Sequence, residues 1–150
     1  MMKVIFLDID GVLNSHSFLM TNTSALFDPD KIKILKKVVR ETEAELILHS
    51  TLKDHFKSDM TPVTAPACEL TDMLFEEGMF LIDKTDEDAD PETGIRIWLE
   101  KNHVNSYCII DDETSLFRAE AGHLVAPPKN QGLNEECAQK AIYILRGQKL

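Results

Sequence analysis

Four aspartates, one serine and their spacing carry most of the chemistry this sequence could perform. Asp8-Ile9-Asp10-Gly11 follows the apolar run Lys3 to Leu7. Two residues apart on an extended chain, the Asp8 and Asp10 carboxylates share a face. Asp111 and Asp112 follow a second apolar run, Ser106 to Ile110, and Ser50 follows a third, Ala44 to His49. Three run ends thus deliver two acids, a hydroxyl and two more acids. Grouped carboxylates repel one another unless a cation sits among them, and hard oxygen ligands favour Mg²⁺ over zinc or copper. The bare Asp-x-Asp pattern is weak, because a chain with 13 aspartates in 150 residues yields about one copy by chance. Four occur, starting at Asp8, Asp28, Asp86 and Asp88. Only the first is preceded by an apolar run and followed by Gly11-Val12-Leu13. Asp28 reads as a helix cap, and the acidic run 86–90 as a solvated loop.

The elements that must position these residues follow from the pattern of apolar positions. Short, nearly continuous apolar runs suit strands covered on both faces, as in a parallel sheet. Asp28-Pro29 sets an N-cap and a first-turn proline. Ile32, Leu35, Val38 and Val39 then give a helix over 29–42 an apolar stripe. Residues 15–27 read as polar loop, 51–59 as a short helix and 60–66 as loop. A helix over 68–77 ends at Gly78, and 80–83 forms a strand. Asp90-Pro91 starts a helix with Ile95, Trp98 and Leu99 on its inner face. Residues 123–126 form a strand stopped by Pro127-Pro128. Asn134 caps a last helix whose inner face is Ala138, Ala141, Ile142 and Leu145. Strands alternating with helices predict a parallel α/β sheet, with ligands bound beyond the carboxyl ends of its strands.

Composition narrows the classes. With 16 Lys+Arg against 26 Asp+Glu the net charge is −10, and 43% of residues are hydrophobic. That is globular composition, not disorder. A single domain over 1–150 is the expected count. The acidic balance argues against broad, sequence-independent nucleic-acid binding. No apolar stretch approaches the roughly 20 residues of a membrane span, and the start lacks a secretory signal pattern. Cys68, Cys108 and Cys137 are an odd number without a CxxC pair. A disulfide scaffold or Cys-based zinc site is not expected, and a reducing cytoplasm fits. Nothing marks an obligate protein partner.

The string Val4-Ile5-Phe6-Leu7-Asp8-Ile9-Asp10-Gly11-Val12-Leu13-Asn14 resembles the first signature of the haloacid dehalogenase-like (HAD) superfamily. Leu46-Ile47-Leu48-His49-Ser50-Thr51 resembles its second motif, and Ile109-Ile110-Asp111-Asp112 its fourth. Within the superfamily the chain is similar to the HAD domain of Swiss Army Knife RNA repair proteins. Phe27-Asp28-Pro29, Trp98-Leu99 and Gly132-Leu133 add to that likeness. The resemblance implies a Rossmann-like HAD core, a parallel sheet flanked by helices. The short stretch between Gly11 and the helix at 29 leaves no room for a large cap domain, and 52–80 allows a small insertion.

The resemblance also implies roles. Asp8 would be the nucleophile, forming an aspartyl-phosphate, and Asp10 the acid and base. Mg²⁺ would be held by Asp8, the Asp10 backbone carbonyl, and Asp111 or Asp112. Gly11 would turn the backbone beneath the phosphate. Ser50 would bond a phosphate oxygen, with Thr51 and Lys53 beside it. The expected substrate is a phosphomonoester, such as a nucleotide or an RNA or DNA terminal phosphate. The family's third-motif cation has no obvious counterpart, because Pro91 stands where the subfamily often has Arg. Lys84 comes first among the candidates, at a strand end, then Lys53, then Arg96, which should face outward. His49 alternates away from Ser50 and reads as packed. Trp98 reads as core, Cys108 as buried and inert, and Asn14 as support for the site or a loop cap. A HAD-fold binding module without catalysis is the main alternative. A receiver-type phosphoacceptor domain ranks below it, because such domains place the acceptor on a middle strand.

Overall fold

In the computed structural model, which describes residues 2–22, 24–86 and 89–147, five strands form one parallel sheet. They are β1 (Lys3–Leu7), β2 (Glu45–Leu48), β3 (Leu81–Lys84), β4 (Ser106–Ile110) and β5 (Leu124–Val125), in spatial order β3-β2-β1-β4-β5. The central β1 explains its own composition: Val4, Ile5, Phe6 and Leu7 are all fully buried. Successive side chains point to opposite faces. Ile5 and Leu7 join the core beneath α2 (Pro29–Thr42), α3 (Ala65–Glu76) and α5 (Glu135–Leu145). Val4 and Phe6 join the smaller core on the other face, with Ile95 and Trp98 of α4 (Pro91–Lys101). Trp98 packs edge-on to Phe6 at 5.5 Å and donates its indole N–H to Asp83 at 2.8 Å, tying α4 to β3.

Register aligns the strand ends. Leu7 lies opposite both Leu48 and Ile110. The ladder continues one residue further, with Asp8 N–H donating to the Ile110 carbonyl at 3.0 Å and His49 N–H to the Leu7 carbonyl at 2.9 Å. Asp8, His49 and Asp111 therefore leave the sheet at one level, on its carboxyl edge.

Helix α2 spans 29–42 as its cap and stripe predict, and the Asp28 side chain accepts from Asp30 N–H. Asp90 and Asn134 cap α4 and α5 in the same way. Three segments differ from the sequence reading. Residues 16–21, read as loop, form α1 (His16–Thr21), which buries none of its residues and is held by the Ser15 cap. It lacks the apolar stripe by which a helix is recognised. Helix α3 begins at Ala65, capped by Thr64, with Pro66 in its first turn. A proline there suits a helix start as well as a loop. Residues 51–55 form a 3₁₀ turn rather than a longer helix. Within the acidic run 86–90, positions 87 and 88 lie outside the described residues. No described helix is long and apolar enough to cross a membrane.

Candidate active site

The chain turns sharply after β1. Val12 and Leu13 N–H groups both donate to the Ile9 carbonyl, at 3.1 and 2.9 Å. Gly11 adopts φ +80°, and a Cβ there would lie 2.2 Å from Asp112 Oδ2. The left-handed backbone favours glycine, and the missing Cβ is what lets the Asp112 carboxylate sit this close to the turn. The buried Asn14 amide braces this turn. Its Oδ1 accepts from Gly11 N–H at 2.9 Å, while its Nδ2 donates to Asp10 Oδ1 at 3.3 Å and to the Leu26 carbonyl at 3.2 Å. Asp10 is exposed at the tip, so its carboxylate is held but reachable.

Carboxylate oxygens of Asp8, Asp111 and Asp112 lie within 4.8 Å of one another. The Asp8 carboxyl is pushed up to about 8, first by burial and then by the field of Asp111, with Asp112 adding to it. Burial and Asp111 also raise Asp112, which Lys129 partly opposes. Like charges held this close are costly unless a proton or a cation sits between them. The donor set is all oxygen, which fits a hard divalent metal. Asp111 is fixed through both oxygens. Its Oδ1 accepts from Glu113 N–H at 2.8 Å and its Oδ2 lies 2.9 Å from His49 Nε2. His49 is itself buried, with its ring edge-on to Phe117 at 5.4 Å.

These groups open onto a cavity of about 920 Å³, also lined by Asp10, Gly11, Ser50, Thr51 and Lys53. Ser50 Oγ accepts from Leu52 N–H at 3.2 Å, capping the 3₁₀ turn. Lys53 donates its ammonium to the Asp86 carbonyl at 2.8 Å. Lys84 stands at the end of β3, but its side chain is not among those lining the cavity. Its ammonium donates to the Lys53 and Phe56 carbonyls, each at 2.7 Å. Arg96 is exposed and pairs with Glu92 at 3.8 Å. Pro91 lines the cavity.

A family model described as the HAD domain in Swiss Army Knife RNA repair proteins matches residues 4–138. The chain belongs to this HAD family. A solved structure from Legionella pneumophila, assigned to the HAD superfamily hydrolases of subfamily III A, has a TM-score of 0.54 to this chain. It is 15% identical, over 97% of this chain and 84% of its own. At that identity the likeness shows a shared fold. No curated protein matches.

Several lining residues of this HAD domain, or their contacts, are not marked by any local sequence pattern. His49 reaches the cavity beside Ser50, and its partner Asp111 lies 62 positions away. His49 is packed, as its sequence reading expected; what that reading lacked is its bond to Asp111 and its place at the cavity wall. Glu113, His16 and Asn130 also line the cavity. Only the neighbourhood of Asp112 could have signalled Glu113. Nothing local marks Asn130, which the loop after β5 delivers.

Proposed function

We propose that this HAD domain hydrolyses phosphate monoesters through an aspartyl-phosphate on Asp8, with Mg²⁺ held by Asp8, the Asp10 backbone carbonyl, and Asp111 or Asp112. The observation that carries this reading is the convergence of Asp8 with Asp111 and Asp112 at one strand-end level, with Asp10 alongside. When bound, Mg²⁺ would neutralise part of the carboxylate charge and stabilise negative charge on the transferring phosphoryl group.

The chain's own residues do the rest. An Asp8 oxygen attacks phosphorus, forming an acyl phosphate as the ester P–O bond breaks. Asp10, braced by Asn14, gives its proton to the leaving oxygen. It then takes a proton from the water that releases inorganic phosphate and restores Asp8. Ser50 Oγ accepts from Leu52 N–H, which leaves its hydroxyl hydrogen to donate to a phosphate oxygen. Gly11 lets the backbone pass beneath the substrate, and Thr51 and Lys53 border it. Lys84 acts at one remove, holding the two carbonyls that shape the turn bearing Thr51 and Lys53. The family's setting in RNA repair favours a nucleotide or polynucleotide terminal phosphate as substrate, and the roomy cavity is compatible with a chain end.

The test is a phosphatase screen on p-nitrophenyl phosphate and on 3′- and 5′-phosphorylated oligonucleotides, with and without Mg²⁺, beside Asp8→Asn. Turnover that needs Mg²⁺ and vanishes in Asp8→Asn is expected. Near-wild-type turnover in Asp8→Asn would refute covalent catalysis through this residue. A second reading, a HAD-fold binding module, draws on Pro91, which stands where the subfamily often supplies an arginine. Substrate binding without turnover in the wild-type protein would establish it.

A further inference from the structure

A phosphate monoester brings close to two negative charges to a cluster that already holds Asp8, Asp10, Asp111 and Asp112. Besides Lys53, which lines the cavity, a lysine approaches this cluster from an unexpected place, the loop after β5. Lys129 follows Pro127-Pro128, and its ammonium lies against the Glu113 carboxylate. Glu113 lines the cavity directly after Asp112. The ammonium therefore sits one carboxylate away from the cavity: Lys129 does not itself line it, but its ion-pair partner Glu113 and its chain neighbour Asn130 do.

The backbone beneath Lys129 is clamped to the turn that carries Asp8 and Asp10. Gln131 N–H donates to the Pro128 carbonyl at 3.0 Å, closing a turn around Lys129. The Asn130 carbonyl accepts from His16 N–H at 2.8 Å, and Leu133 N–H donates to the Val12 carbonyl at 2.8 Å. A Cβ on Gly132 would lie 2.5 Å from the Asn14 carbonyl oxygen. The anchor point is thus fixed at the rim, while the side chain is exposed and can swing. Its pair with Glu113 is a solvent-exposed one, which is cheaply broken. A phosphate dianion is the stronger partner, and lysine binds phosphate well as a point charge.

We infer that Lys129 is the cation that meets the substrate's phosphoryl group, exchanging the Glu113 carboxylate for a phosphate oxygen when substrate binds. The inference rests on the phosphatase reading, yet it makes a separate claim about anion binding. Lys84 is the contrasting lysine, because its ammonium is directed to the Lys53 and Phe56 carbonyls.

The experiment measures inorganic phosphate binding by calorimetry with Mg²⁺ present, and p-nitrophenyl phosphate hydrolysis, in wild type, Lys129→Met, Lys129→Arg and Glu113→Gln. Lys129→Met should weaken phosphate binding about ten- to a hundredfold, the range of one charge-assisted hydrogen bond. Its KM should rise more than its kcat falls. Lys129→Arg should restore most of the affinity, and Glu113→Gln, which releases the ammonium, should tighten it. Phosphate binding by Lys129→Met equal to that of wild type, including no binding by either, overturns the inference. Equal losses in Lys129→Arg and Lys129→Met also overturn it, since the charge would then not be the cause. Lysine-dependent phosphate binding without turnover in wild type keeps Lys129 as an anion ligand and overturns the phosphatase reading instead.

Discussion

Replacing Gly11 by alanine should separate what the turn after β1 does for stability from what it does for metal binding. Three glycines make the comparison possible, because all have positive φ and differ only in what a Cβ would meet. At Gly78 (φ +74°) nothing lies within 4 Å. Gly78→Ala therefore carries only the left-handed penalty of about 1–2 kcal/mol, reduced by about 0.4–1 kcal/mol through loss of unfolded-chain freedom. At Gly11 the new methyl would lie 2.2 Å from Asp112 Oδ2 and 2.7 Å from its Cγ. Asp112 is a part-exposed side chain and can swing away. The metal-free protein should thus lose little more than in Gly78→Ala, because moving one acid also relieves repulsion on Asp8. The cluster, however, loses a correctly placed carboxylate. Saturating Mg²⁺ at 100 times Kd stabilises a fold by about 2.7 kcal/mol. At this chain length that is a rise in Tm of about 5–11 °C. A tenfold weaker Kd removes about 1.4 kcal/mol of it, or about 3–6 °C. At Gly132 the obstacle is the Asn14 carbonyl oxygen at 2.5 Å, which is backbone. Gly132→Ala should be the most destabilising of the three. Thermal melts with EDTA and with Mg²⁺ read all of these effects. A full Mg²⁺-induced rise in Gly11→Ala would refute the placement of Asp112 in the metal cluster.

The metal-free protein should lose stability as pH rises from about 4 to about 8. The folded state keeps a proton on Asp8, which titrates at about 8, while the unfolded chain releases it near the ordinary 3.8; urea midpoints across this range should fall in wild type and stay flatter in Asp8→Asn. His49→Phe should destabilise by about 1.5–3 kcal/mol, since it removes the donor to a buried carboxylate, and should weaken Mg²⁺ binding; His49→Gln should recover part of both. Lys84→Met should lower stability by about 1–3 kcal/mol by leaving the Lys53 and Phe56 carbonyls without their donor, and an unchanged Tm would contradict the bracing role.

The parts of the molecule legible in the sequence are those whose signals are local. Asp28-Pro29 and the Ile32, Leu35, Val38 stripe define α2 to the residue, because a cap and a buried face lie within one segment. Val4 to Leu7 announces a central strand, because both of its faces are covered. Helix α1 was hidden because it buries nothing and is fixed by one cap. The bond between His49 and Asp111 joins residues 62 positions apart, and no local pattern encodes it. Lys129 looks like any surface lysine until β5 and the Gly132 contact bring its loop to the rim. A lysine at the β3 end was a reasonable expectation for the cavity. Its side chain turns instead to the carbonyls of the 3₁₀ turn, where a local donor was needed.

The alignment of β1 with β4 has a consequence for how the chain is made. During synthesis β1 can pair with β2 once about 50 residues are free, because their register joins Leu7 to Leu48. It must then wait for Ile110 on its other side. Such late, long-range closure is slow compared with local structure. The event that closes the second side of β1, before β5 adds to the edge, is also the one that brings Asp111 against Asp8. Docking β4 on β1 therefore also brings like charges together, at Asp8, Asp111 and Asp112. A cation able to sit among the three carboxylates would ease that step, so refolding should run faster with Mg²⁺ than with EDTA if the cluster binds the ion.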